Sequence, residues 1–198
     1  MPLRPDWTDR LRSRAVPVEE PGGVRRAGVA VAVCDASAQG PRVLLMRRSV
    51  HPHDPWSGQV SLPGGRVEPS DGTSLAAARR ETLEELGVDL ERSGELLGPL
   101  DPVRATAKGR TIDLLVHPWV WRLSEEVVPV PNEEAEEGFW LPLALAVRGE
   151  LDHTHRIERN GETHLRPSWR VGRHVVWGLT RQILDAFVRE LRREARGG

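Results

Sequence analysis

"PGGRVEPSDGTSLAAARRETLEELGV", residues Pro63 to Val88, sets a double glycine a short loop ahead of a helix-forming run. Apolar residues at helical spacing predict a helix over Leu75 to Leu86. At about 100° per residue, Leu75, Ala78, Thr82, Leu83 and Leu86 share one arc, while Glu81, Glu84 and Glu85 fall opposite them. Gly87 stands where a C-terminal cap belongs, with Val88 available to pack back. A charge run is ordinarily a solvated face. Here, however, like charges one turn apart repel by roughly a few tenths of a kcal/mol per pair, and no basic residue one turn further on offsets them. Carboxylates gathered on one rigid face suit a hard divalent cation such as Mg²⁺, which takes oxygen ligands and bridges to phosphates. The Gly64-Gly65 pair lets backbone approach such a site without side-chain obstruction. The combination suggests metal-assisted attack of water on a phosphoanhydride.

The remainder of the chain bounds that reading. At 198 residues, one domain is expected. Hydrophobic residues make up 38% and charged residues 29%, a globular balance rather than a disordered or fibrous one. A net charge of -1 supplies no bulk basic field, so neither nucleic acid nor a membrane surface is expected as partner. The single cysteine, Cys34 in "AGVAVAVC", excludes a disulfide framework and reads as a small buried hydrophobe. No apolar run reaches the roughly 18 residues needed to span a bilayer. The start "MPLRPDWTDRLRSRAV" lacks an apolar signal core, so a cytoplasmic protein is expected.

Arg4 to Arg14 reads as a short helix. "AGVAVAVC", "RVLLMRRS", "ELLGPLDPV", "TIDLLVHPWVWRL" and "EEGFWLPL" read as strands, the fourth with its proline at an edge or bulge. "GQVSLPGG" reads as a short strand entering the double glycine, and Asn160-Gly161 signals a two-residue hairpin. His174 to Arg193 carries an amphipathic helical pattern. Strands outnumber helices and do not alternate with them, which favours a mixed sheet with helices packed on it over a doubly wound parallel sheet. His153 and His155 lack the further ligand spacing of a zinc site.

Gly65, Asp71, Arg80, Glu81, Glu84, Glu85, Gly87 and Val88 together resemble the Nudix box of the Nudix hydrolases. The spacer from Gly65 to Arg80 is one residue longer than the general pattern, Asp71 replaces glutamate, and Thr82 replaces an aliphatic residue. Asp71, beside Gly72, reads as a turn or helix-cap residue rather than a metal ligand. The flanks resemble the coenzyme A pyrophosphatase branch of that family, for which the longer spacer is typical. The matching residues are Leu44, Leu45, Arg48, Ser49, Gly58, Gln59, Pro63, Gly64 and Gly65, with Leu62 in place of phenylalanine. "VPNEEAEEGFWLPL" and "RHVVWGLTRQILDAF" are similar to later segments of the same branch.

The resemblance implies an α/β Nudix fold, a mixed β-sheet sandwiched between helices, over residues 27–198, with 1–26 as an N-terminal extension. It implies Mg²⁺ or Mn²⁺ held by Glu81, Glu84 and Glu85 with a carbonyl from Gly64 or Gly65. Arg80 would hold a helix carboxylate in place, and Glu84 or Glu134 would serve as the base. Arg48 is the first candidate for a phosphate contact; Arg47, His51, His53 and the basic loop with Arg104, Lys108 and Arg110 follow. The implied substrate is a small nucleotide, coenzyme A or a derivative. The alternatives are ADP-ribose, a dinucleoside polyphosphate or a nucleoside triphosphate, or a non-catalytic nucleotide-binding module. A homodimer is compatible with this reading.

Overall fold

The alternation of β1, Arg25–Cys34, builds both sides of the molecule. Val31 and Val33 face one core cluster, and Ala30, Ala32 and Cys34 face the other. The computed structural model describes residues 7–17, 19, 23–36, 40–52, 56–107, 110–159 and 161–192. β1 runs parallel to β7, Arg110–Leu123, and anchors a mixed sheet of order β3-β2-β1-β7-β5. Its further members are β2, Arg42–Arg48; β3, Val60–Ser61; β4, Gly64–Arg66; β5, Gly94–Pro99; β6, Val103–Ala107; and β8, Ala135–Pro142. The small side chains of β1 let α2, Ser74–Leu86, and α3, Leu90–Ser93, pack closely on one face. The valine face meets α1, Trp7–Arg12, α4, Leu143–Arg148, and α5, Gly178–Arg192. Trp7 packs edge-on against Phe187 at 5.7 Å, so α1 contributes to this core directly. A second sheet of β9, Asp152–Arg159, β10, Glu162–Val171, and β11, His174–Trp177, adds Trp169 and Val176 to it. No helix among the described residues is long and apolar enough to cross a membrane.

The sheet forks beside β1. Val33 and Cys34 pair with β2, whereas Ala27, Gly28 and Val29 pair with β4. Because two strands share one edge, they diverge. A cleft of about 470 Å³ opens there, floored by Val29 and walled by Arg48, Gly64 and Glu85.

Several local readings change. "GQVSLPGG" supplies two strands, β3 on β2 and β4 on β1, because the chain crosses the fork between them. Pro118 lies in an inner strand, not at an edge. Its carbonyl accepts from the Leu100 amide where β5 has ended and β6 not yet begun, so its missing N–H falls in a gap of the ladder. The C-terminal helical pattern begins as β11, which pairs with β10, and the helix starts only at Gly178, whose φ of 62° breaks the strand. β9 and β10 do form a hairpin where Asn160-Gly161 signalled one, with Arg159 opposite Glu162; Asn160 itself lies outside the described residues.

Candidate active site

α2 is fixed at both ends and from beneath. The Thr73 hydroxyl accepts from the Ala76 amide at the N-terminus, and Gly87, at φ 65°, closes the C-terminus by donating to Leu83 O. Under the helix, a Cβ on Gly28 would stand 1.7 Å from the Ser74 carbonyl oxygen, so β1 and α2 touch backbone to backbone. The helical wheel misplaces two residues. Leu83 is 50% exposed and Glu85 only 1% exposed. The reason is a second support. α2 packs against β4 as well as β1, so the strip carrying Glu81 and Glu85 faces the fork rather than solvent.

The two glycines make room for these carboxylates. Gly64 donates its N–H to Glu85 Oε2 at 2.8 Å. A Cβ on Gly65 would lie 2.2 Å from Glu81 Oε1, so the Glu81 carboxylate occupies space that a larger residue at 65 would take and would have to move aside for one. Burial pushes the Glu85 carboxyl up to about 8; the Gly64 N–H and Arg48, 3.7 Å away, oppose this, and Glu81 and Glu134 add to it. Burial likewise raises the Glu81 carboxyl, partly offset by Arg80.

Arg80 supplies the counter-charge that the sequence lacks on the C-terminal side. Its guanidinium grips Asp71 bidentately at 2.9 and 3.0 Å and reaches Glu84 at 2.9 Å and Glu81 at 3.1 Å. The Arg80 hydrogen bond holds the Asp71 carboxyl below its usual range, and Asp71 Oδ2 also accepts from the Glu68 amide, closing the turn. Asp71 is thus a turn residue that also anchors Arg80.

This donor set fits a hard divalent cation. Partly buried Glu81 and buried Glu85 both line the cleft, in space that a Cβ at Gly65 would enter, and Glu84 lies on the same helix. Among the described residues no three acidic or imidazole groups already converge at metal-ligand spacing; Glu84, half exposed, is drawn towards Arg80.

The other candidates divide. Arg48 and Glu134 line the cleft. Arg47 turns away to Glu136 at 3.2 Å, across a β-bulge between Arg47 and Arg48. Arg104 and Arg110 lie in the paired strands β6 and β7, not in one loop as the sequence implied; Arg104 pairs with Asp113 at 3.5 Å, and His51 is exposed. His53 and Lys108 lie outside the described residues. Sequence reasoning missed Arg66, Trp56 and Trp177, which also line the cleft. Arg66 follows the double glycine and was legible as a cation beside it. Trp177 lies in the branch-like segment "RHVVWGLTRQILDAF", but its place at the cleft follows from β11, where it pairs with Ser168 of β10.

Comparisons with known proteins identify the family. The NUDIX domain family model matches residues 24–159. The human mitochondrial coenzyme A diphosphatase NUDT8 is 33% identical over 163 residues, covering 81% of this chain and 68% of that one. The Nudix hydrolase NudL of Salmonella paratyphi B is 32% identical over 148 residues, covering 73% of this chain and 72% of that one. A MutT/nudix family protein from Enterococcus faecalis superimposes with a TM-score of 0.55 at 18% identity, covering 93% of this chain and 68% of that one. A family model that spans most of the chain, and relatives identical at about a third of the aligned positions over most of their own length, establish that the chain belongs to the Nudix hydrolase family.

Proposed function

We propose that this Nudix hydrolase cleaves the diphosphate of coenzyme A or a derivative, giving 3′,5′-ADP and 4′-phosphopantetheine. The observation that carries the substrate choice is the similarity to human coenzyme A diphosphatase over 81% of the chain. It is supported by the branch-type residues Arg48, Ser49, Gly58 and Gln59 ahead of the box.

Glu81, Glu84 and Glu85 would hold Mg²⁺ or Mn²⁺, with the Gly64 carbonyl as a further ligand. When bound, the cation supplies positive charge against the diphosphate and acidifies water. Arg80 keeps Glu81 and Glu84 from recoiling from one another. Arg48 and Arg66, on opposite strands of the fork, flank the space for the diphosphate. Glu134 accepts a proton from the attacking water. The water oxygen bonds to one phosphorus as the bond from that phosphorus to the bridging oxygen breaks, and the bridging oxygen leaves with the other phosphate. Beyond the charged groups the cleft is apolar, with Val116, Leu179 and Ile183 among its walls, which suits the non-phosphate parts of a large substrate.

The test is turnover of coenzyme A, dephospho-coenzyme A, ADP-ribose and a dinucleoside polyphosphate at matched Mg²⁺. Coenzyme A carries a 3′-phosphate that dephospho-coenzyme A lacks. A charged hydrogen bond to it is worth roughly 1.5–3 kcal/mol. The expected result is therefore a kcat/KM about 10- to 100-fold lower for dephospho-coenzyme A. Cleavage of ADP-ribose or the dinucleoside polyphosphate with coenzyme A untouched would overturn the substrate choice and leave the hydrolase reading in place.

A further inference from the structure

Glu134 sits on a loop, where a side chain is held less firmly than on a helix or strand. Its main chain is nevertheless tied on both sides. The Asn132 side-chain oxygen accepts from the Glu134 amide at 2.8 Å, closing an Asx turn, and the Glu134 carbonyl accepts from the Ser49 amide at 2.8 Å. Asn132 is itself moored, because its own amide donates to the Glu85 carbonyl at 3.0 Å and its carbonyl accepts from the Ala135 amide at 3.3 Å. The turn therefore hangs from the last helical turn of α2, the turn that carries Glu84 and Glu85, and leads straight into β8.

We infer that Asn132 is a positioning residue: its side chain fixes Glu134 over the cleft and in register with the carboxylates of α2. The geometry separates the two duties of Asn132. Its backbone joins the loop to the helix and survives side-chain replacement. Its side chain alone closes the turn that orients Glu134. Asparagine suits both because its amide oxygen reaches an N–H two residues on while its own main chain stays in the turn. Aspartate presents an oxygen in the same place, whereas alanine presents none.

The inference rests on the reading of Glu134 as the base, so the test is a double-mutant cycle on the full chain with Mg²⁺ and the best substrate of the panel. Asn132→Ala should lower kcat by about tenfold, a change of about 1.4 kcal/mol in the barrier. KM and Mg²⁺-induced thermal stabilisation should stay within about twofold and a degree of wild type, because substrate and cation contacts lie on other residues. Asn132→Asp should recover most of the rate. In a Glu134→Gln background, Asn132→Ala should have no further effect, since a group that acts only through Glu134 has nothing left to position. If Asn132→Ala slows Glu134→Gln as much as it slows wild type, the inference is overturned and the base assignment stands. Wild-type turnover in Glu134→Gln overturns both. Full activity in Asn132→Ala, with Glu134→Gln impaired, overturns the positioning role alone.

Discussion

Glu85 is the residue in which burial and charge conflict most sharply. It is 1% exposed, has one backbone hydrogen bond and a distant arginine, and faces two further carboxylates. The cation of the proposed function would relieve this conflict. Glu85→Gln keeps the shape and removes the charge. Hydrolysis should fall by about 100-fold or more, as when other groups that balance transition-state charge are deleted. The melting temperature without divalent cation should hold or rise, because no buried carboxylate then faces Glu81 and Glu134. Near-wild-type turnover in Glu85→Gln and Glu81→Gln alike would end the metal-site assignment. The identities of these residues were legible from their spacing. Their burial was not, because the wheel of a single helix cannot show that a second strand covers its acidic strip.

The contact between α2 and β1 decides where that strip points. Gly28 is the hinge of the contact, and every atom its Cβ would meet first is backbone: Ser74 O at 1.7 Å, Ser74 C at 2.7 Å and Ala78 N at 3.0 Å. Backbone does not yield as a flexible side chain does. Gly28→Ala should therefore lift α2 off β1 and destabilise the fold by about 1–3 kcal/mol, the range of other overpacked cores. Because Glu81 and Glu85 ride on the same helix, activity should fall in the fraction that remains folded. Denaturant midpoints together with the specific activity of the folded protein measure both effects. Unchanged values would mean that the helix does not rest on this glycine. The strand containing Gly28 was readable as an apolar run. The demand for glycine within it was not, since it arises only from the crossing helix. The same holds for Pro118, which the ladder tolerates because β5 and β6 leave a gap opposite it.

Across the whole molecule, stability should depend on pH through His117. This side chain is 5% exposed on the α2 face of β7, and both ring nitrogens lack a hydrogen-bond partner among the described residues. Burial holds its pKa below the usual value of 6.5; Glu19 acts against that shift and Arg26 with it. The folded state thus resists a proton that the unfolded chain accepts. The contribution to stability is complete above pH 6.5 and is lost as pH falls below it. His117→Leu removes this dependence, so the gap in denaturant midpoint between variant and wild type should shift in favour of the variant from pH 7.5 to pH 5.5. A gap that stays constant would show that His117 does not titrate differently on folding. The sequence by itself determined the helix of carboxylates, the glycines ahead of it, the mixed-sheet class and the hairpin at Asn160-Gly161, because each is written in local spacing and turn chemistry. Only the tertiary structure decided that Glu85 is buried, that Arg47 faces away while Arg48 faces in, and that Arg66, Trp56 and Trp177 meet at one cleft. Those outcomes depend on strands that pair across long stretches of chain and on a fork in the sheet, and no local pattern encodes which side of a fork a residue will line.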